Sequence, residues 1–285
     1  MRVVETLSKL RAQIKEWKRQ GLTVGFVPTM GNLHAGHLSL IELAKQKADK
    51  VVCSVFVNPL QFGPDEDFEC YPRTFEEDRQ KLAEAQADLM FFPSVQEMYP
   101  HGQEHQTKVL VSQALTGLLE GASRPGHFDG VSTVVLKLFN MVQPDLAVFG
   151  QKDYQQLKVI QAMVEDLALP VKIVAAPIAR NADGLALSSR NQYLTDHQLQ
   201  VAPKLQVALM DVALALESGN RNFADLRHAA QEAVLAAGFD TVDYIEIRHP
   251  ETLLESSDQD QAFVILAVAR LGETRLLDNI LLSLG

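Results

Sequence analysis

Two histidines one helical turn apart, His34 and His37, lie in "PTMGNLHAGHLSL" (Pro28 to Leu40), between an apolar run and an amphipathic stretch. On a helix that spacing puts both rings on one face over the first turn, where imidazole N–H groups can donate to an anion. Gly31 and Gly36 let backbone come close to a ligand. A helix starting near His34 directs unpaired N–H groups and the positive end of its dipole to the same place. The chemistry this suggests is phosphate binding. Two other readings stay open: ordinary polar residues at a strand-to-helix turn, and a zinc site, for which two His without a further Cys/His cluster form a thin ligand set.

Such a motif needs a scaffold that presents a strand end and a helix start together. The runs "LTVGFVP" (22–28), "KVVCSVFV" (50–57), "ADLMFFP" (87–93), "DLAVFG" (145–150) and "VKIVAAP" (171–177) are short, rich in β-branched or aromatic residues, and closed by Gly or Pro, as strands are. Helical patterns lie between them. Thr74 and Glu77 make a capping-box signature, and "DYQQLKVIQAMVEDLAL" is amphipathic. The N-terminal "MRVVETLSKLRAQIKEWKRQG" also carries helical spacing. Alternating strands and helices predict an α/β fold with a parallel, doubly wound sheet, in which ligands bind at the carboxyl ends of the strands.

After Pro177 the pattern changes. "LTDHQLQVAPKLQVALMDVALALESG" and "NFADLRHAAQEAVLAAG" read as two helices, and "VDYIEIRH", "QAFVILAVARLG" and "ETRLLDNILL" as hairpin-connected strands. The expected division is therefore a domain over 1–178 and a smaller α+β domain over 179–285. A cleft between them is the default small-molecule site.

Composition narrows the function classes. The chain has 285 residues, 47% of them hydrophobic, enough for a large core. A formal charge of -10 argues against a protein that grips nucleic acid backbone. Two cysteines, one of them (Cys53) inside an apolar run, make a disulfide framework implausible and fit a reducing compartment. No signal h-region is visible and no apolar run is read as a membrane span. These features predict a cytoplasmic globular protein without a nucleic acid or membrane partner.

"HAGH" resembles the H-x-G-H motif of nucleotidyltransferases and class I aminoacyl-tRNA synthetases. Together with "FVNPLQF", "YPRT", "RPGHFDGVSTVV", "FGQKDYQQL" and "DGLALSSRNQYL", in this order and roughly this spacing, the chain resembles the pantothenate synthetase family across both domains. Two departures are visible: Gln151 where members often carry Glu, and Leu187 where Met is usual. The resemblance implies a Rossmann-like sheet and an ATP-dependent ligase. Pantoate's carboxylate would attack the α-phosphate of ATP to give pantoyl adenylate and pyrophosphate. β-Alanine's amine would then displace AMP. No enzyme nucleophile is required, so positioning and charge stabilisation must carry catalysis.

The same resemblance implies site residues. His34, His37, Lys152 and Asn58 would be catalytic. Met30, Gly31, Asn32, Leu33, Ala35 and Gly36 would line ATP with the two histidines, and Gly150, Gln151, Lys152 and Asp153 would do so after the strand "DLAVFG". Leu187, Ser188, Ser189 and Arg190 would form a second phosphate loop, with Gly184 supplying backbone freedom, and Ala179 would also contact ATP. Asp153 reads as well as the N-cap of the next helix. Met30, Gln61 and Gln156 would bind pantoate, and Gln61 β-alanine. Arg124 and His127 are candidates to bring positive charge to that second substrate, although a Gly/Pro-rich turn explains them equally. Mg²⁺ would arrive with ATP, with Asp78 a candidate ligand; no tightly bound organic cofactor is expected. The acidic run "PDEDFE" (64–69) reads as a solvated loop, and "DGVSTVVLKLFNMV" as core or subunit contact, in keeping with the family's usual homodimer. Two alternatives are another H-x-G-H adenylyltransferase, which would retain adenylated product, and a nucleotide-binding protein without turnover.

Overall fold

The computed structural model describes residues 1–64, 66 and 68–284. Asp65 and Asp67 of the acidic run lie outside the described residues. The chain divides into two compact units, Met1–Gln151 with Gln155–Pro177, and Lys152–Tyr154 with Ile178–Gly285.

The first unit runs β1 (Arg2–Val4), α1 (Leu7–Arg19), β2 (Val24–Thr29), α2 (Ala35–Lys45), β3 (Lys50–Val55), α3 (Phe75–Glu84), β4 (Leu89–Phe91), the short α4 (Val95–Met98), α5 (Gln113–Thr116) and α6 (Leu119–Ser123), then α7 (His127–Val142), β5 (Leu146–Gly150), α8 (Tyr154–Asp166) and β6 (Lys172–Ala176). Its sheet has the order β1-β4-β3-β2-β5-β6, parallel throughout. Alternate residues feed two cores, because successive side chains leave a strand on opposite faces. Phe26, Val52, Phe91 and Phe149 join α1, α7 and α8 on one face, and Val27, Cys53, Met90 and Val148 join α2 and α3 on the other. Both faces are covered, which is why these strands read as continuous apolar runs. Chain order reverses between β2 and β5, so the turn after β2 and the end of β5 flank the switch point where such sheets bind ligands.

The three residues of β1 fell inside the reading of the N-terminus as helix. Arg2–Val4 instead pair with Leu89–Phe91 at the sheet edge; a strand this short is too brief to show a period. Thr74 precedes α3 but makes no side-chain cap. Its hydroxyl donates to Asp78 Oδ2 at 3.2 Å instead, so the expected capping box does not form.

The second unit contains α9 (Asp196–Val201), α10 (Lys204–Glu217) and α11 (Phe223–Ala236) packed on an antiparallel sheet of β7 (Thr241–Arg248), β8 (Ala262–Leu271) and β9 (Thr274–Ser283). The first predicted helix breaks before Pro203, whose ring disfavours uninterrupted helix. Taken together, Asp196–Glu217 is long and apolar enough to cross a membrane by composition. Leu205, Leu209, Val212 and Leu216 are nevertheless buried in this unit's own core, as in a soluble core helix. Strands β8 and β9 form a tight hairpin, whereas β7 and β8 pair across the longer connection 249–261.

Candidate active site

The turn after β2 is built from residues 30–34. Gly31 adopts φ +89° and Asn32 φ +49°, left-handed conformations that fold the chain back toward α2. One carboxylate holds the turn: Asp78, buried on α3, accepts the backbone N–H groups of Asn32 at 2.9 Å and Leu33 at 2.7 Å. Burial pushes its carboxyl above the usual carboxylate range, against the opposing pull of those hydrogen bonds and of Lys81. Lys81 Nζ in turn donates to Leu33 O at 2.8 Å. Asp78, proposed from sequence as a metal ligand, therefore has both oxygens engaged by protein donors and serves as the clamp of this turn.

His34 is the N-cap of α2. Its Nδ1 accepts from Gly36 N at 3.1 Å, while His37 Nδ1 accepts from His34 N at 3.3 Å. The two ring centroids lie 4.1 Å apart. Because each Nδ1 faces a backbone donor, the proton of each neutral ring sits on Nε2. The sequence placed both rings over the first turn, and they are there. It did not show that the rings themselves take up backbone N–H groups expected to face an anion.

Below β3, Pro59–Gln61 forms a 3-10 turn capped by Asn58. Asn58 is buried, and all four of its amide's hydrogen-bonding positions are used within the protein. Oδ1 accepts from Tyr99 Oη at 2.7 Å and Leu60 N at 3.3 Å, and Nδ2 donates to Gln61 Oε1 at 3.1 Å and Gly130 O at 3.2 Å. The contact with Gly130 needs glycine there, since a Cβ would lie 2.2 Å from Leu60 O. Asn58, expected from sequence among the catalytic residues, thus holds Gln61 through its side-chain amide. Gln61 Nε2 donates to Met30 Sδ at 3.2 Å, so two residues assigned together from sequence do meet.

Arg124 and His127, candidates either to bring positive charge to the second substrate or to form a Gly/Pro-rich turn, are both engaged within the protein. Arg124 makes a two-pronged pair with Glu66, Nε–Oε1 2.7 Å and Nη2–Oε2 2.6 Å. His127 Nδ1 donates to Gln61 O at 2.8 Å, and its Nε2 lies 3.1 Å from Arg124 Nη1. Burial, helped by the adjacent guanidinium, lowers the His127 pKa to about 4, so the ring is neutral at pH 7. Both side chains support the backbone of Gln61 and border a cavity of about 640 Å³ that also touches Lys108 and Asp129.

Gln156, the pantoate candidate, lies on α8 beside Gln155. Gln155 is buried, accepting from Glu120 N and donating to Leu115 O and Leu118 O, so it fixes the connection between α5 and α6. Gly150 ends β5, and Gln151 N donates to Ala176 O at 2.8 Å. Neither cysteine forms a disulfide. Cys53 is buried in β3 and its thiol is pushed up to about 12, which removes it as a nucleophile. Cys70 is exposed on a turn whose carbonyls, at Phe68, Glu69 and Tyr71, accept from the Arg73 guanidinium.

In the second unit, Lys152 Nζ lies 4.0 Å from the half-exposed Asp153, and Lys152 O accepts from Asn279 Nδ2 at 2.9 Å. The segment 179–190 is a small antiparallel turn. Arg180 bridges to Ala186, and Leu187 N donates to Ala179 O. Gly184 turns at φ +95°, where a Cβ would meet Gln206 Oε1 at 2.0 Å. Ser188 caps the 3-10 turn Ser189–Tyr193 by accepting from Arg190 N at 3.3 Å. The anchor is a residue not foreseen: Arg180 pairs with buried Asp278 through Nη1–Oδ2 2.6 Å and Nη2–Oδ1 2.7 Å, and also donates to Gly184 O.

The chain is similar from end to end to proteins of one activity. The family model described as pantoate-beta-alanine ligase matches residues 2–281. A pantothenate synthetase from Hydrogenovibrio crunogenus is 60% identical over 284 residues, covering 100% of both chains, and one from Ectopseudomonas mendocina is 55% identical over 285 residues, covering 100% of this chain and 99% of its own. Among solved structures, a pantothenate synthetase from Thermus thermophilus superposes with a TM-score of 0.92 at 50% identity, covering 98% of this chain and 99% of that one. The Francisella tularensis pantoate-beta-alanine ligase, complexed with beta-gamma ATP and beta-alanine, superposes at 0.82 and 34% identity, covering 99% and 97%. A doubly wound sheet with paired imidazoles at its switch point, matched across the whole chain, makes this protein a member of the pantoate–β-alanine ligase family.

Proposed function

We propose that the protein joins pantoate to β-alanine at the expense of ATP, through pantoyl adenylate. What carries the reading is the end-to-end likeness to a ligase solved with an ATP derivative and β-alanine. The local geometry supports a division of labour. His34 and His37, with Nε2–H as the protonated end of each neutral ring, donate to phosphate oxygens as pantoate attacks the α-phosphorus and pyrophosphate leaves. The turn 30–37 lines the nucleotide with Gly150 and Gln151. From the second unit we assign Lys152 and Asp153, then Ala179 and residues 187–190, to ATP, with Lys152 as a mobile point charge. Met30, Gln61 and Gln156 bind pantoate, and Gln61 stays beside the acyl carbon that the β-alanine amine attacks. Arg124 and His127 act there only through Gln61.

Among the described residues no group of three or more His, Cys, Asp or Glu is placed to hold a metal ion. Mg²⁺ therefore enters this reading through phosphate and water as part of MgATP, and no protein ligand is named for it. We place the enzyme in the cytoplasm, supported by its two free cysteines, and as a homodimer, following the usual state of the family. The test is mass spectrometry of products with pantoate, β-alanine and MgATP: AMP, pyrophosphate and pantothenate are expected, with AMP dependent on pantoate. ADP in place of AMP would overturn the reading.

A further inference from the structure

Gln61 binds through an amide whose two ends have opposite hydrogen-bonding character, and its usefulness depends on which end meets the ligand. Two backbone groups decide this. Leu60 N can only donate and Gly130 O can only accept, so Asn58 must present Oδ1 to the first and Nδ2 to the second, independent of how amide ends are distinguished. With Nδ2 fixed, Gln61 must turn Oε1 toward Asn58 and carry Nε2–H₂ on its other end, beside Met30 Sδ. Tyr99 completes the set. Its hydroxyl makes the shortest contact to Asn58, 2.7 Å to Oδ1, and its ring is 2% exposed, edge-on to Phe56 with a centroid separation of 6.0 Å.

We propose that Tyr99 is a positioning residue that acts through Asn58 to hold Gln61 with its N–H₂ end toward the substrate, selecting a ligand that offers acceptors, a carboxylate or hydroxyl oxygen. Gln61 as a pantoate contact is the reading given above, and the inference rests on it. A rigid amide pointing donors at an anion discriminates by polarity without a net charge; the two backbone groups set which end of Asn58 faces Gln61, and the Tyr99 hydroxyl holds Asn58 in place so that Gln61 stays rigid. Tyr99 touches no reacting group. Its whole effect is expected at one substrate.

The test is a double-mutant cycle of Tyr99→Phe and Gln61→Ala in the full-length enzyme, reading KM for pantoate, ATP and β-alanine separately, with thermal melts of each variant. Tyr99→Phe is expected to raise the pantoate KM about fivefold, the scale of one buried hydrogen bond, leaving the ATP KM and kcat within about twofold. In the Gln61→Ala background the same substitution is expected to change nothing further. A pantoate penalty that persists undiminished beside Gln61→Ala overturns the inference while sparing Gln61 as a contact. If Gln61→Ala itself leaves the pantoate KM unchanged, the contact assignment fails and the inference with it. An equal rise in all three KM values, tracking a lower melting temperature, would mark Tyr99 as structural only.

Discussion

The turn after β2 and the segment after β6 are each anchored by a buried aspartate, and the two aspartates face different donors. Asp78 accepts backbone N–H groups of Asn32 and Leu33. Asp278 accepts two N–H groups of a guanidinium besides the backbone N–H of Asn279, and that guanidinium reaches on to Gly184 O. The first clamp balances a charge mainly with neutral dipoles, Lys81 adding its pull, and its carboxyl is pushed up by burial. The second balances charge with charge. Removing a carboxylate should therefore leave two unmatched dipoles in one case and an uncompensated, largely buried cation in the other, which is the costlier outcome.

The largest effect should follow Asp278→Asn, which keeps shape but strands Arg180. A loss of about 3–5 kcal/mol is expected on urea unfolding, and a loss under about 1 kcal/mol would erase the contrast between the clamps. Next come the residues that the first clamp presents. His37→Ala should slow adenylation roughly a hundredfold, about 3 kcal/mol of barrier. His34→Ala should add to a similar rate loss about 1 kcal/mol of stability from its cap on Gly36 N. Single-turnover pyrophosphate release and thermal melts separate the two parts, and a variant that melts early yet adenylates normally would return the histidines to a structural role. Asp78→Asn is expected to be mildest, about 1–2 kcal/mol by urea titration, because one amide end still accepts while the other meets an N–H. If it equals Asp278→Asn, dipoles and charge are interchangeable here.

The central strands were legible because both faces of each are buried, so they appear as apolar runs closed by Gly or Pro. Arg2–Val4 was too short to announce itself, and the break before Pro203 was read through because apolar spacing continues on both sides. The same divide runs through the site. His34 and His37 are local, and their motif with the neighbouring stretches led to the family. Their support is not local: Asp78 lies 45 residues from Leu33, Tyr99 41 from Asn58, and Asp278 98 from Arg180. Nothing in one chain's letters pairs such positions. Arg124 and His127 show a related gap, since the pairing of Arg124 with Glu66 and the burial of His127 are not visible as a spacing.

Burial of Cys53, whose thiol is pushed up to about 12, has a practical side. A thiol-directed dye at neutral pH finds one accessible sulfur, Cys70. That atom sits where Arg73 gathers the carbonyls of Phe68, Glu69 and Tyr71. The native sequence thus carries a ready-made single labelling position, and fluorescence from it would report on that turn as substrates are added, with no cysteine introduced or removed.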